Sequence, residues 1–537
     1  MYLPGRRMCS DRMRWQRVQK NSLFAEVHLG KMNRQKEQHM IRAKSGYQEW
    51  LKPRSLAIAA VSAMLVIFTA CAVGPDYVKP KTEAPPAYKE AAGWKVAQPQ
   101  EAAVRGAWWK IFQDPQLDAL EEQVNISNQN VAAAEAQFRQ ARALVQAARA
   151  GYFPNVSVGA QATRSLGSAN APGALGTTNQ VSDLLLTGTA SWEPDIWGKV
   201  RRSVEASQAS AQASEADLES LRLSTQATLA QNYFQLCALD AQKKLLDATV
   251  AAYQKTLELT NRRYASGVSS RADVLQAETQ LKTTQAQAID VGVQRAQLEH
   301  AIALLVGKPP SGLSVPVTPL AATPVAVPFG IPSELLERRP DIAAAERRIA
   351  AANAQIGVAK AAYYPNVVLN AVGGFESSHL SDWLSWPSRL WSVGMSLTET
   401  VFDAGLRSAL TDQARAAYDQ TVATYRQTVL GGFQEVEDNL AAIRILEEES
   451  RIQGEAVSAA RRSLEFSMNQ YRAGTISYLD VVVVQAILLS NEITAINILG
   501  RRMTASVLLV KAVGGGWNSA SLPSNKDLNS SGNDKRD

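Results

Sequence analysis

The sequence predicts an α+β fold: a tandem duplication in which each half carries very long helices and two short strands. Three observations predict it. The stretch "NVAAAEAQFRQARALVQAARAGYFPNVSV", starting at Asn130, is echoed 211 residues later by "DIAAAERRIAAANAQIGVAKAAYYPNVVL", starting at Asp341. No Pro occurs between Pro194 and Pro309 or between Pro387 and Pro523. An interior Pro costs roughly 3 kcal/mol, so both gaps suit uninterrupted helices. Short segments after "GYFPN" and "YYPN" alternate apolar and polar residues with the period of a strand.

The N-terminal end is set apart by charge. The chain of 537 residues has a formal charge of +6, but residues 1–70 hold 13 Lys+Arg against 4 Asp+Glu. The remainder is slightly acidic, so the basic balance gives no argument for a nucleic-acid partner. Lys52 and Arg54 precede the apolar run "LAIAAVSAMLVIFTA" at 56–70. That run is shorter than the roughly 20 residues of a membrane helix and reads as a targeting signal. It ends at Cys71, and Thr69 and Ala70 before it resemble the lipobox of bacterial lipoproteins. There the signal is removed and the Cys thiol is acylated; Phe68 departs from the usual Leu. A plain secretory signal with an incidental Cys is the other reading. Residues 1–50 are too long and polar for an ordinary leader, and Met32 and Met40 are candidate starts. With Cys9 in this extension and Cys71 acylated, Cys237 stands alone and no internal disulfide is expected. Its expected role is that of a small buried apolar residue.

From Cys71 onward the chain divides into an extended segment at 71–114, a first repeat at 115–307, a Pro-rich linker at 308–332, a second repeat at 333–517 and a polar tail at 518–537 that is expected to be disordered. Each repeat opens with a helix, at 115–150 and 333–362, followed by a strand at 155–165 and 366–375. A second strand follows near 184–194 and 391–401. A helix of about 65 residues comes next, at 199–264 and 406–471, roughly 100 Å long at 1.5 Å per residue. After a Gly turn, a last helix runs over 271–306 and 476–512. In this later part the offset is 207, which places Gly198 on Gly405 and Gly267 on Gly474. The last helix of the first repeat carries Val274, Ala277, Leu281, Thr284, Ala288, Val291, Arg295, Leu298, Ile302 and Leu305 at alternating steps of three and four, a heptad seam.

The strands are ambiguous by pattern alone. Val156, Val158, Ala160 and Ala162 alternate with small polar residues, as do Val393, Met395 and Leu397. Ten alternating residues fit a membrane-spanning strand, and Trp383, Trp386 and Trp391 nearby fit an interfacial girdle. A half-buried strand of a soluble sheet fits the same period. Only four strands are convincing, whereas membrane barrels need about eight or more and must close. If these strands span a membrane, two copies would supply eight and three would supply twelve.

Several stretches resemble signatures of the TolC-like outer-membrane efflux proteins, in the lipoprotein branch of NodT/OprM type. They are "CAVGPDYVKP" at 71–80, "WWKIFQDPQLDAL" at 108–120, "LLERRPDIAAAE" at 335–346, "YRAGTISYLDV" at 471–481 and "AVGGGW" at 512–517. The resemblance covers nearly all of 71–517. It implies a homotrimer in which each protomer gives four strands to one twelve-stranded outer-membrane β-barrel and long helices to a periplasmic α-barrel. The two Pro-containing joints would mark the change from tunnel to barrel, and 71–114, 308–332 and the C-terminal end would form an equatorial belt. It further implies a tunnel closed at its periplasmic tip, at the turns of Gly267 and Gly474. A constricting acid is carried onto Asp480 with Leu479 beside it, a partner acid onto Asp273, and a bonding position onto Tyr471. Val483 stands where many relatives have a second acid. An alternative for both acids is local: "SRAD" at 270–273 and "SYLD" at 477–480 each fit a capping box that opens a helix.

The resemblance implies a passive duct with a periplasmic adaptor and an inner-membrane pump of RND type as partners, and outer-membrane lipid around it. No cofactor is expected beyond the lipid on Cys71. Alternatives are a protein-secretion duct and a lipid-anchored coiled-coil scaffold without a pore. The chain has no GxxxxGK[ST] loop, no GxSxG and no HExxH, and after Cys71 its two His, His300 and His379, lie far apart, so an enzyme is not expected.

Overall fold

Each repeat folds as a helix, two strands, a very long helix and a last helix. In the computed structural model the described residues are 72–81, 85–91, 106–168, 180–318, 320 and 335–530. Cys71, the leader before it and the latter part of the linker lie outside them. The first repeat comprises α1 (Pro115–Ser127), α2 (Gln129–Ala150), β1 (Asn155–Leu166), β2 (Gln180–Trp192), α3 (Lys199–Ala265) and α4 (Arg271–Leu305). The second comprises α5 (Leu335–Arg338), α6 (Pro340–Ala361), β3 (Asn366–Ser377), β4 (Arg389–Thr398), α7 (Leu406–Ala473) and α8 (Tyr478–Ala512). The four strands form one antiparallel sheet in the order β1-β2-β3-β4. Each long helix packs on the first helices of a repeat over one part of its length and on last helices over the other. That division explains why α3 reaches 67 residues and α7 reaches 68.

The main core sits where those two parts meet. Trp108, Trp109 and Phe112 from the extended segment pack with Tyr233 and Phe234 of α3, Tyr425 and Phe433 of α7, and Met503 and Leu509 of α8. Cys237 joins them, 2% exposed. Burial pushes its thiol up to about 12, so it acts as packing rather than as a nucleophile. The seam of α4 is as its periodicity predicts, with Val274, Ala277, Leu281, Thr284, Ala288, Val291 and Ile302 buried.

Two expectations need correction. The opening helices are not continuous from 115 to 150 and from 333 to 362; each breaks near its start. At the first break Asn128 accepts the N–H groups of Asn130 and Val131 at 2.9 and 3.1 Å, and donates to the Leu305 carbonyl at 2.7 Å. At the second, Arg339 is extended, as a residue before Pro tends to be, and Pro340 opens α6. Its guanidinium reaches the Ala512 carbonyl at 3.1 Å. Each break therefore ties the start of a repeat to the end of its own last helix. Gly307 and Gly514, both at positive φ, allow this approach: a Cβ there would fall 2.1 Å from the Ser127 carbonyl oxygen and 2.0 Å from that of Arg338.

The second correction concerns the tail. Residues 518–530 are ordered: a turn at Ser519–Ser521 and helix α9 (Asn525–Asn529) dock on the first repeat. Leu528 is 1% exposed against Val145 and Ala211. Gln146 and Gln212 donate to the carbonyls of Leu528 and Pro523 at 2.8 and 3.0 Å. One well-placed Leu and a set of amide side chains outweigh the polar composition that suggests disorder.

One buried acid predicts a pH effect. Glu121 on α1 is fully buried, and neither carboxylate oxygen has a hydrogen-bond partner among the described residues. Burial, with a smaller contribution from nearby Asp118, holds its carboxyl well above the usual range. The protonated form thus belongs to the fold, and stability is lost as pH rises above the unfolded value of about 4.3. Glu121→Gln, which is buried neutral without taking up a proton, should raise stability at pH 8 by about 1–3 kcal/mol, at about 1.4 kcal/mol for each tenfold in proton affinity, and lose that advantage toward pH 4. Thermal unfolding of the detergent-purified protein checks this. A lower midpoint at pH 8 would mean that the folded state holds the carboxylate ionised and paired.

Candidate functional site

The register of the sheet sorts its side chains by polarity. Val156, Ala190, Ala371 and Val393 form one row across the four strands, and Val158, Gly188, Gly373 and Trp391 form the next. Trp192, Leu369 and Met395 continue the same face, and Val367 pairs with Leu397. The other face carries Asn155, Ser191, Asn370 and Gly394 in one row and Ser157, Thr189, Val372 and Ser392 in another. The apolar face is uncovered: Val158 is 77% exposed, Val393 76% and Met395 71%. A soluble sheet would bury such a face, so lipid is the environment that satisfies it.

Aromatic side chains bracket this band. Trp386 and Trp391 are exposed at one end, with the Arg389 guanidinium 3.9 Å from the Trp386 ring centre. At the other end Trp192 donates to the Tyr152 carbonyl at 3.0 Å and Phe153 is exposed. Trp197 stacks on Tyr364 at 4.8 Å and donates to the Pro365 carbonyl at 2.8 Å. Sequence reasoning found the first group and missed the second, although its aromatics stand at the helix–strand joints.

Those joints are built alike in both repeats. Pro154 and Pro365 follow the ends of α2 and α6, and a strand starts at the next residue. On the return, Gly198 and Gly405 adopt φ of +79° and +91° to open the long helices. Asp195 accepts the N–H groups of Val200 and Arg201, and Asp403 those of Gly405 and Arg407. The Arg407 side chain bonds Asp403 at 2.6 Å and holds its carboxyl below the usual range.

At the far end of the helices lie the turns of Gly267 and Gly474, with φ of +75° and +79°. Tyr471 is buried there with Tyr478, Val481 and Ala277. Its hydroxyl lies 3.3 Å from the Thr260 hydroxyl and 3.5 Å from that of Ser269, so it joins the second repeat to the first. Arg263, which sequence reasoning missed, completes the junction. It donates to the carbonyls of Tyr471 and Arg472 at 2.9 and 3.2 Å, and its guanidinium lies 4.7 Å from the Tyr471 ring centre. A basic residue in the last turn of α3 is the signal in its favour.

Both acids of the turns are helix caps. Asp273 accepts the Ser270 N–H at 2.9 Å while its own N–H donates to the Ser270 hydroxyl at 3.1 Å. Asp480 accepts the Ser477 N–H at 3.1 Å and hydroxyl at 2.8 Å. Each carboxylate uses only Oδ2 in these bonds. Leu479, Asp480 and Val483 are exposed on α8, on the side away from buried Val481. No described hydrogen bond or ion pair joins Asp273 to Asp480. Among the described residues no cluster of His, Cys, Asp and Glu is arranged to hold a metal, and His300 and His379 are exposed and apart.

Comparison with known proteins agrees with this geometry. The family described as Outer membrane efflux protein matches residues 120–308 and 331–515. The toluene efflux pump outer membrane protein TtgC of Pseudomonas putida is 32% identical over 470 residues, covering 86% of this chain and 96% of that protein. The pyoverdine export outer membrane protein OpmQ of Pseudomonas aeruginosa is 31% identical over 417 residues, covering 77% of this chain and 88% of that protein. The solved outer-membrane channel OprN superposes with a TM-score of 0.78 at 33% identity, covering 83% of this chain and all of that one. The solved neighbours are trimeric outer-membrane channels, and because a barrel in lipid must close, the four strands of one protomer are a third of a twelve-stranded barrel. The chain therefore belongs to the outer membrane efflux protein family: it is an outer-membrane channel whose sheet faces lipid and whose helices extend into the periplasm.

Proposed function

We propose that this channel is the passive exit duct of a tripartite efflux assembly, anchored by a lipid on Cys71. It would receive small molecules from a periplasmic adaptor and an inner-membrane pump of RND type, and its closed state would be held at the helical tip. The observation that carries the gate is the tip itself. Arg263 and the buried Tyr471 clasp the two turns, while Leu479, Asp480 and Val483 stand exposed on one helix beside them. A ring of Asp480 from three protomers favours cations, and Leu479 and Val483 give the same constriction an apolar wall that resists wetting. Asp273, its carboxylate capping α4, is the partner acid of this ring.

The relatives named for toluene and for pyoverdine act on unlike cargo, and the common requirement is a duct wide enough for small molecules. A plain scaffold without a pore does not account for an amphipathic sheet whose apolar face is bare.

Single-channel conductance of the purified protein in planar bilayers tests the gate. Wild type should conduct weakly and prefer cations. Asp480→Ala should weaken the cation preference, and Tyr471→Phe with Arg263→Ala should raise the open fraction by loosening the clasp. Conductance unchanged in all variants would leave Asp480 a helix cap alone, and a folded oligomer that never conducts would favour the scaffold.

A further inference from the structure

The segment that follows Cys71 is laid along α6, against its direction, and ends at the helix–strand joint. Tyr77 hydrogen-bonds Glu346 through its hydroxyl. Asn353, two turns on, donates to the Pro75 carbonyl at 2.9 Å. Gly74, at φ of +112°, meets Gly357 one turn further; a Cβ on Gly74 would fall 2.5 Å from the Gly357 Cα. Val73 then donates to the Trp197 carbonyl at 3.1 Å. A Cβ on Gly198 would fall 3.0 Å from the Ala72 Cα. The described segment thus ends against Trp197 and Gly198, beside the aromatic girdle at the base of the sheet.

One side chain locks this arrangement. Arg202 of α3 is 5% exposed. Its guanidinium bonds Asp76 at 2.9 Å and Glu205 at 2.8 Å, and points at the carbonyls of Val73 and Gly74 at 3.4 and 3.5 Å. Its stem fills the space over Gly357, where an added Cβ would lie 2.8 Å from the Arg202 Cγ. Arg202 therefore joins a helix of the first repeat, a helix of the second and the N-terminal segment.

We infer that Arg202 is the positioning residue of a ruler: it clamps segment 72–77 along α6 up to the helix–strand joint, so that a lipid carried by the chain ahead of this segment draws on both repeats at the height of the joint. The inference rests on the anchoring reading given above. A segment clamped along a helix transmits the pull of the lipid to both repeats, which holds the joints at the membrane surface while strands of separate protomers find one another. A free tether would give retention without height.

The test uses Arg202→Ala and Gly74→Ala in the full chain. Gly74→Ala evicts the segment from α6 while leaving the α3 and α6 side chains in place, so it does not depend on the folding of an arginine variant. Labelled palmitate incorporation reports acylation, and heat-sensitive oligomer in the outer-membrane fraction reports assembly. Both variants should keep the label and lose assembled oligomer by about fivefold or more. When the chain is instead exported unacylated, by a cleavable signal with Cys71→Ser, the same substitutions should cause no further loss. An equal loss in both backgrounds would reduce Arg202 to a structural tie and overturn the ruler, as would normal assembly of the acylated variants. Absence of label in wild type would overturn the anchoring reading itself, and the ruler with it.

Discussion

Val393→Arg should abolish the assembled barrel, whereas Ser392→Arg, one residue away, should not. Val393 lies in the row Val156–Ala190–Ala371–Val393, within the bare apolar face, and is 76% exposed in the single chain. An Arg facing lipid near the bilayer midplane costs about 2–4 kcal/mol. Three protomers carry the change into one barrel, so the penalty is about 6–12 kcal/mol, comparable to the whole stability of a typical fold. Ser392 alternates onto the opposite face, in the row with Ser157, Thr189 and Val372. An Arg there sits in water, and its expected effect is on conductance and ion preference rather than on assembly. Heat-sensitive oligomer in outer-membrane fractions measures the first effect and planar-bilayer recording the second. If Val393→Arg assembled and Ser392→Arg did not, the faces would be assigned the wrong way round.

Sequence patterns that report local conformation translated well into structure. The Pro that ends each opening helix, the Pro-free gaps and the alternation of Val156, Val158 and Ala160 are decided within a few residues, and they placed the joints, the long helices and the strands. Strand limits were less legible. β2 begins at Gln180, ahead of the apolar run, because Val181 and Asp183 continue the ladder on the polar face. β4 stops at Thr398 because Glu399 and Asp403 turn to bind Arg407.

What stayed hidden depends on partners far away in the chain. Asn128 breaks a helix because the Leu305 carbonyl needs a donor, 177 residues on. Arg202 looks like an ordinary polar residue of a long helix until Asp76 and Gly357 are brought to it. Arg263 sits in a run of charge that periodicity assigns to solvent. The acids of the tip show the opposite limit. Their local role as caps was legible from Ser270–Asp273 and Ser477–Asp480, and the structure bears it out. The constriction that Asp480 would form is a property of three chains together.

The second large effect falls on the signature "RRPDI". Arg339→Ala should destabilise the helical region by about 3 kcal/mol, and Arg339→Lys should recover little of it. Arg339 is 6% exposed. It grips the two Asp341 oxygens at 3.0 and 2.7 Å, Glu435 of α7 at 2.7 Å and the Ala512 carbonyl at the end of α8 at 3.1 Å. Breaking a buried pair by removing one partner costs about 3–5 kcal/mol. The lower end applies here because Asp341 and Glu435 keep access to water. A Lys has one ammonium in place of a planar fork, so it cannot hold Asp341 in two bonds and reach α7 and α8 as well. The duplication supplies an internal comparison. Asn128 occupies the equivalent break in the first repeat and makes the same tie to a helix end with a neutral amide, so Asn128→Ala should cost only about 1 kcal/mol. Chemical unfolding of detergent-purified protein, followed by helical circular dichroism, would separate the two. Equal costs would mean that the charge on Arg339 adds nothing to the tie, and that the arginine of this motif has a role outside the protomer's own fold.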